Sequence, residues 1–530
     1  MSGPAPHHCD VVVVGGGHNG LAAAAYLGRA GYSVTVLEQA STVGGASVSA
    51  QAFSGVDARL SRYSYLVSLM PQSIREDLDL DISLIRRRYS SYTPVPGTDR
   101  GLLIDAEDAE RTRASFEAIG AGDDYMRWLD FYRDTQVIAA SLFPTMTEPM
   151  MTKEEFRRLL DLASPGRNLY GRFIETPIVT LVNETFESDI VRGVVLTDAL
   201  IGTFPDGDDD SAMRACFLYH VIGGGTGDWD VPTGGMGSVS SALEKSARQA
   251  GATIVTGARV TRISDDSVVH FQHDGQEFTT QGRLVISGAS RATAHALAAR
   301  ENREPAIEGA QVKVNLMLSR LPQLADTTVS AEEAFGGTFH INESGSQLAT
   351  SIGQAQSGQI PDVIPCEIYC HTLSDRSILG PELRNTDAQT LTVFALNVPH
   401  SLIAGSDPDV VRADLQARVL DSLNSVLAEP IEECVMKDAE GQACIETKTT
   451  IDLEQSLGLP GGNIFHQPLS LPYIPDDVTV TTPATRWGVN SGIPHILLAG
   501  ASAIRGGGAS SKQGPYCWSK LVGRRALLKT

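Results

Sequence analysis

DVVVVGGGHNGLAAAAYLGRAGYSVTVLE, residues 10–38, is the stretch on which the fold turns. Val11–Val14 form a short, unbroken apolar run, the signature of a strand buried on both faces. Gly15, Gly17 and Gly20 follow at the spacing G-x-G-x-x-G. The first glycine permits a tight turn, the second lets a pyrophosphate reach the backbone, and the third lets helix and strand pack closely. The helix that opens at His18 and Asn19 offers that pyrophosphate free N–H groups and the positive end of its dipole. Ala24, Leu27, Gly31, Val34 and Val36 continue the packing positions of the unit. Glu38 ends the second strand, where a carboxylate accepts hydrogen bonds from a ribose diol and repels a 2′-phosphate, so NADP is not expected here. A lone glycine motif is weak evidence, but here strand, helix and acid agree.

Six residues beyond Glu38 the chain reads Gly44-Gly45, within Val43-Gly44-Gly45-Ala46-Ser47. A glycine pair at this place lets the backbone run against the far part of a long dinucleotide. The pattern E-x(5)-GG resembles the extended FAD signature of the amine-oxidase and phytoene-desaturase superfamily, and the resemblance implies FAD rather than NAD. Near the other end, LLAGASAIRGGGASSKQGPY (497–516) reads as a strand, three glycines and a helix. A second helix N-terminus there would stabilise negative charge on a reduced flavin. The expected cofactor residues in this segment are Gly500, Ala501, Gly507, Gly508 and Ala509. In GATIVTGARVTRI (251–263) the superfamily resemblance places the strand carrying Val260 beside the adenine. Gly223–Gly227 lack the helix and acid of a second fingerprint, and no CxxC is present, so no nicotinamide domain is expected.

The bulk composition agrees with an ordinary globular chain. Of 530 residues, 42% are apolar and 20% charged, which suits two or more domains and neither a disordered nor a fibrous protein. A formal charge of −21 argues against a nucleic-acid partner, which needs a basic surface. The seven cysteines, Cys9, Cys216, Cys366, Cys370, Cys434, Cys444 and Cys517, form no framework and no zinc pattern, so no metal is expected and a reduced, cytoplasmic setting is. No basic region precedes a long apolar run at the N-terminus, and no apolar stretch approaches a membrane span, although peripheral membrane contact stays open.

Outward from the two nucleotide-type ends, 41–105 read as a connector with a turn at TPVPGTDRG (93–101), and 106–222 as largely helical, with a solvated turn at FPDGDDD (204–210). A helix is expected at about 238–250, short strands over 252–287 with a hairpin turn at Asp274-Gly275, and a helix around 408–427 among further strands. The expected class is α/β: a Rossmann-type FAD-binding domain of the glutathione-reductase-like kind, interleaved with a mixed sheet-plus-helices substrate domain. The first is assigned 8–75, 230–300 and 484–530, and the second 76–229 and 301–483.

Several motifs together, GGGHNGLAAAAYL (15–27), LSRYSYLVSLMP (60–71), VPTGGMGSV (231–239), GGNIFH (461–466) and the C-terminal glycines, resemble the pyridine nucleotide-disulphide oxidoreductase domain-containing protein 2 family. That branch belongs with the phytoene-desaturase-related flavoproteins, and the resemblance spans nearly the whole chain. Relatives often carry a proline where this chain has Arg505. The family implies FAD-dependent removal of a hydride from a small, largely apolar substrate, a desaturase or oxidase reaction, with reoxidation by oxygen, a quinone or another acceptor. An amine and a saturated carbon pair are both admitted as substrate. The alternatives are a membrane-associated carotenoid ketolase or desaturase, and a flavoprotein that mainly binds or regulates. His220 and His466 border family-like motifs and are the candidates for a catalytic role, against the commoner structural role of a buried histidine. Tyr63 and Tyr65 either face a substrate cavity or staple the connector to the core, and Cys517 is a packed thiol with only a faint likeness to cysteines that attach flavin. Oligomeric state is not legible.

Overall fold

A computed structural model of the chain describes residues 4–205, 207, 209–301 and 308–504. In chain order its two large sheets use β1 (His8–Val14), β2 (Val34–Leu37), β3 (Tyr89–Pro94), β4 (Gly101–Asp105), β5 (Thr253–Val255), β6 (Arg259–Ile263), β7 (Val268–His273), β8 (Gln276–Ser287), β9 (Val312–Leu318), β10 (Thr338–Ile341), β11 (Cys366–Tyr369), β12 (Gln389–Ala395), β13 (Ile445–Lys448) and β14 (Ile496–Leu498). The helices that matter below are α1 (His18–Arg29), α2 (Asp124–Leu142), α3 (Ser211–Val221) and α4 (Met236–Gln249).

The first sheet runs β5-β2-β1-β8-β7-β6, with β14 also beside β8. β1 is parallel to both β2 and β8, with Val12 opposite Thr35 and Val285. Both faces of β1 are covered, so Val11–Val13 have no exposed surface, as an unbroken apolar run requires. The expected hairpin turn is present: Asp274 (φ 48°) and Gly275 (φ 74°) both take the positive φ of the tight turn that matches strand twist. The expectation of short strands throughout 252–287 is corrected at its end, where Gln276–Ser287 form one continuous strand, β8, because its second half is held by β1 and β14.

α1 lies on this sheet with Ala22–Ala25 fully buried, and packs on α4. At Gly28 the approach is so close that a Cβ would sit 2.4 Å from the Ala250 carbonyl oxygen. Small residues along this seam set the depth at which α1 lies, and with it the position of its N-terminus.

The second sheet runs β13-β9-β12-β11-β10-β3-β4 and is antiparallel except where β10 meets β3. Here the reading of 41–105 as a connector is corrected. Its latter part supplies β3 and β4, which pair around the TPVPGTDRG turn, with Pro94 opposite Gly101. Ser91, Tyr92 and Thr93 are all buried, so the strand shows no apolar alternation, and part of its stability comes from the Tyr92 hydroxyl donating to Asp326 at 2.8 Å. The helical stretch packs a third layer around Phe131, which meets Phe173, Phe186 and Phe217. Two helices run close to expectation, Met236–Gln249 and Pro408–Asn424. Among the described residues no helix is long and apolar enough to cross a membrane.

Gly28→Val should lower the melting temperature while leaving the far-UV circular dichroism near native. Overpacking of this kind costs about 1–3 kcal/mol. A melting temperature equal to that of the wild type would show that the α1–α4 seam is looser than described.

Candidate functional site

The glycine turn is held by backbone and carboxylate together. Gly15 (φ 97°) donates to Leu37 O at 2.9 Å, and Gly16 N donates to Glu38 Oε2 at 2.6 Å. Glu38 Oε1 accepts from Ala40 N at 2.8 Å, so this buried carboxylate bridges the two loops that leave β1 and β2. A Cβ on Gly20 would lie 2.2 Å from Gly15 O, which only glycine avoids. α1 begins at the N-cap Gly17 with no side-chain cap, leaving its first-turn donors for a ligand.

The glycine pair packs against the same turn. Gly44 (φ 125°) donates to Gly16 O at 2.9 Å, and a Cβ on Gly45 would meet Gly17 Cα at 3.2 Å. Gly45 and Ala46 line a cavity of about 780 Å³, and Gly44 sits behind them. Gly15, Gly17, His18, Asn19, Gly20, Glu38, Val260 and Ala501 line the same cavity. Ala258 N donates to Glu38 O at 2.8 Å, which carries the strand bearing Val260 alongside the carboxylate. Gly500 (φ 77°) lies behind the wall, where a Cβ would strike the Asn19 amide at 2.1 Å. Gly507, Gly508 and Ala509, with Arg505 and Cys517, lie outside the described residues.

An FAD suits this surface on three counts. The helix terminus is uncapped, the glycine positions leave no room for side chains between backbone and ligand, and the buried Asn19 Oδ1 has no hydrogen-bond partner among the described residues. Glu38 presents its carboxylate to the cavity at the end of β2, where a ribose diol would lie.

His220 and His466 both line the cavity. His220 sits on α3, donates from Nδ1 to Cys216 O at 2.8 Å and stacks on Trp229 with ring centres 5.1 Å apart. Burial pulls its pKa down to about 4. His466 Nδ1 lies 3.1 Å from Ser502 Oγ, and its pKa is likewise drawn to about 4, by burial and then by His18. Both are therefore neutral imidazoles at pH 7.

Beyond the glycine turn the cavity opens into a chamber with aromatic walls, and here lie the ionisable residues that reading the sequence missed. Lys313, on β9, is 4% exposed. Its Nζ donates to Ser61 O (2.9 Å) and Tyr63 O (2.5 Å) and stands 4.9 Å from the Tyr65 ring centre. Burial lowers its pKa to about 7. Tyr65 meets Tyr369 at 4.5 Å and donates its hydroxyl to Glu367 at 3.1 Å. Glu367 is pushed up to about 8 and Asp198 to about 7, in each case chiefly by burial. Arg87 completes the group, with its guanidinium 5.5 Å from the centre of the Tyr369 ring. One signal for Lys313 was available. In VKVNLML the polar residues 313 and 315 alternate with Val312, Val314 and Leu316 in a strand buried throughout, which marks one face as polar by design. Among the described residues no group of His, Cys, Asp or Glu is arranged to hold a metal ion.

Comparison with known proteins bears on this arrangement. Residues 10–141 match the family model described as FAD dependent oxidoreductase. An uncharacterized protein of Mycobacterium tuberculosis is 48% identical over 510 residues, 94% of each chain. The pyridine nucleotide-disulfide oxidoreductase domain-containing protein 2 of Rattus norvegicus is 28% identical over 560 residues, covering 95% of this chain and 92% of that one. The chain belongs to this family of FAD-dependent oxidoreductases.

Its fold is shared with solved oxidases of remote sequence. Cyclohexylamine oxidase from Brevibacterium oxydans superposes with a TM-score of 0.54 at 15% identity, over 98% of this chain and 99% of that one. A variant of putrescine oxidase gives a TM-score of 0.53 at 15% identity, over 99% of both chains. These likenesses establish the FAD-binding Rossmann α/β fold, and the family match makes the protein an FAD-dependent oxidoreductase.

For this flavoenzyme, Glu38→Ala should weaken FAD retention about tenfold or more, since a hydrogen bond to a charged group contributes about 1.5–3 kcal/mol. Gly20→Val should abolish retention. Both are read from the ratio of flavin to protein absorbance after gel filtration. Full retention by Gly20→Val would mean that the glycine turn is not the FAD cradle.

Proposed function

We propose that this enzyme oxidises a small molecule held in the chamber between Lys313 and Arg87 by taking a hydride and a proton from it. The observation that carries this reading is continuity: one cavity runs from the glycine turn and Glu38 to Lys313, Glu367 and Arg87. FAD, when bound, supplies the hydride acceptor at its N5, and oxygen, a quinone or another acceptor later takes the electrons. We further assign the cofactor to the unit 8–75, 230–300 and 484–530, and the chamber largely to 76–229 and 301–483.

In this reading Lys313 receives the proton. Two backbone carbonyls fix its amine in the wall, and burial brings its pKa to about 7, so the neutral form is available near neutral pH. The aromatic rings of Tyr65, Trp229, Tyr369 and Phe394 exclude water and limit the substrate to one that fits between them. Neutral His220 and His466 have positioning roles, since each ring is already engaged by a neighbour.

Walls bearing Lys313, Arg87, Asp198 and Glu367 suit an oxidase of a compact substrate better than a carotenoid desaturase or ketolase, whose polyene would leave those groups without partners.

The test is anaerobic titration of the yellow protein with small amines, alcohols, carboxylates and polyenes, followed at the flavin absorbance. Bleaching by a compact substrate supports the proposal, and bleaching by polyenes alone refutes it. With a bleaching substrate, the rate should rise with pH through about 7 as Lys313 loses its proton. Lys313→Met should slow reduction about 10²-fold or more and flatten that rise. An unchanged profile in the variant would remove Lys313 from the proton step.

A further inference from the structure

Three arginines in succession, Arg86, Arg87 and Arg88, lead into β3 and meet different fates. Arg86 pairs with Asp228 at 2.6 Å and Asp230 at 3.3 Å. Arg88 pairs with Asp105 at 2.8 Å, through two nitrogens. Arg87, between them, turns inward and lines the chamber. No carboxylate among the described residues stands within ion-pair distance of it. Its Nε donates to Trp229 O at 3.4 Å and its Nη1 to Thr338 Oγ1 at 3.2 Å, while Nη2 makes no hydrogen bond to any described residue.

We infer that Arg87 is the anchor for a carboxylate group on the substrate, so that the enzyme acts on small carboxylic acids bearing an apolar or aromatic body. The inference rests on the chamber being the substrate site.

Three observations support it. First, the guanidinium is oriented in advance: Thr338, the Trp229 carbonyl and the Tyr369 ring hold it from three sides, and its outer edge is left for a two-oxygen acceptor. Second, its charge is not cancelled locally. Two acids are nearby: Asp230 is already paired with Arg86, and Glu367 is engaged by the Tyr65 hydroxyl while burial pushes its pKa to about 8, so at pH 7 it is mostly the neutral acid. Burial lowers the Arg87 pKa, and the neighbouring Glu367 and Asp230 offset that only in part. Third, the walls around it are rings, Tyr65, Tyr369, Phe394 and Trp229, which suit the apolar body of such an acid. A protonated Glu367 would be a donor beside that carboxylate rather than a repelling charge.

Binding can be read without turnover. FAD-loaded protein is titrated with phenylacetate, hexanoate, phenylacetamide and benzylamine, and the shift of the flavin absorbance bands is followed. Phenylacetate or hexanoate should perturb the spectrum and bind more tightly than the neutral amide and the amine. Arg87→Gln should weaken carboxylate binding about tenfold or more, and Arg87→Lys by less, because the lysine keeps the charge but loses the fork. Binding of the amide should change less than about twofold, within the range of a neutral contact. The flavin-to-protein ratio of each variant reports that the fold and the cofactor are intact. If neither carboxylate perturbs the spectrum, if benzylamine binds better than both, or if Arg87→Gln binds them as tightly as the wild type, the inference is overturned. Failure of every small molecule to bleach the flavin would instead refute the oxidase reading, and the two failures are separable because one is read from binding and the other from reduction.

Discussion

Glu38 accepting from Gly16 N and Ala40 N is the interaction on which the rest of the structure hangs. It joins the loop after β1 to the loop after β2, and through its own backbone it also holds β5 and the segment leading into β6, since Glu38 N donates to Val255 O and Ala258 N donates to Glu38 O. The glycine turn at 16, the loop at 38–40 and the stretch 255–258 thereby converge on one residue. The glycine contacts follow from this. With the turn drawn against Glu38, Gly20 must pass Gly15 O at a distance that admits no side chain, and a Cβ on Gly45 would press on Gly17 Cα at 3.2 Å. The cradle is a cost in backbone freedom that the buried sheet offsets by packing both faces of β1.

At the other end of the cavity the constraint is electrostatic. Lys313, Asp198, Glu367 and Arg87 all line one partly dry space, and burial moves each of the four towards its neutral form. A folded chain gains nothing from such a group for stability alone, since apolar residues of similar volume fill a core at lower cost. Sites that bind and convert small polar groups are where such residues are retained. The aromatic rings around them give the chamber its shape and keep the local dielectric low, which strengthens every charge–dipole contact inside.

How much of this was legible varied from element to element. β1, the glycine turn and α1 were readable because their pattern is local: an apolar run, three glycines and an alanine-rich helix within twenty residues. The Asp274-Gly275 turn was readable for the same reason. β3 and β4 were not, because Ser91, Tyr92 and Thr93 are buried by partners more than two hundred residues away, such as Asp326 and β10. Lys313 was overlooked although its strand announced a polar face, for nothing near it in the chain says what that face meets. Arg87 was hidden in a run of three arginines that looks like solvated charge until the outer two are seen paired and the middle one is not.

The sequence by itself determined the dinucleotide fold and, through its family-like motifs, FAD as cofactor and membership among the FAD-dependent oxidoreductases. These depend on spacing within single supersecondary units, where backbone geometry leaves few solutions. Only the tertiary structure decided what stands opposite the cofactor site. Lys313 from one strand, Tyr65 from a loop, Glu367 and Tyr369 from another strand and Arg87 from the approach to β3 meet there because the second sheet and the helical layer close over the first. That meeting is a property of long-range packing, and it is burial, a quantity no local pattern contains, that makes five ordinary side chains a candidate site.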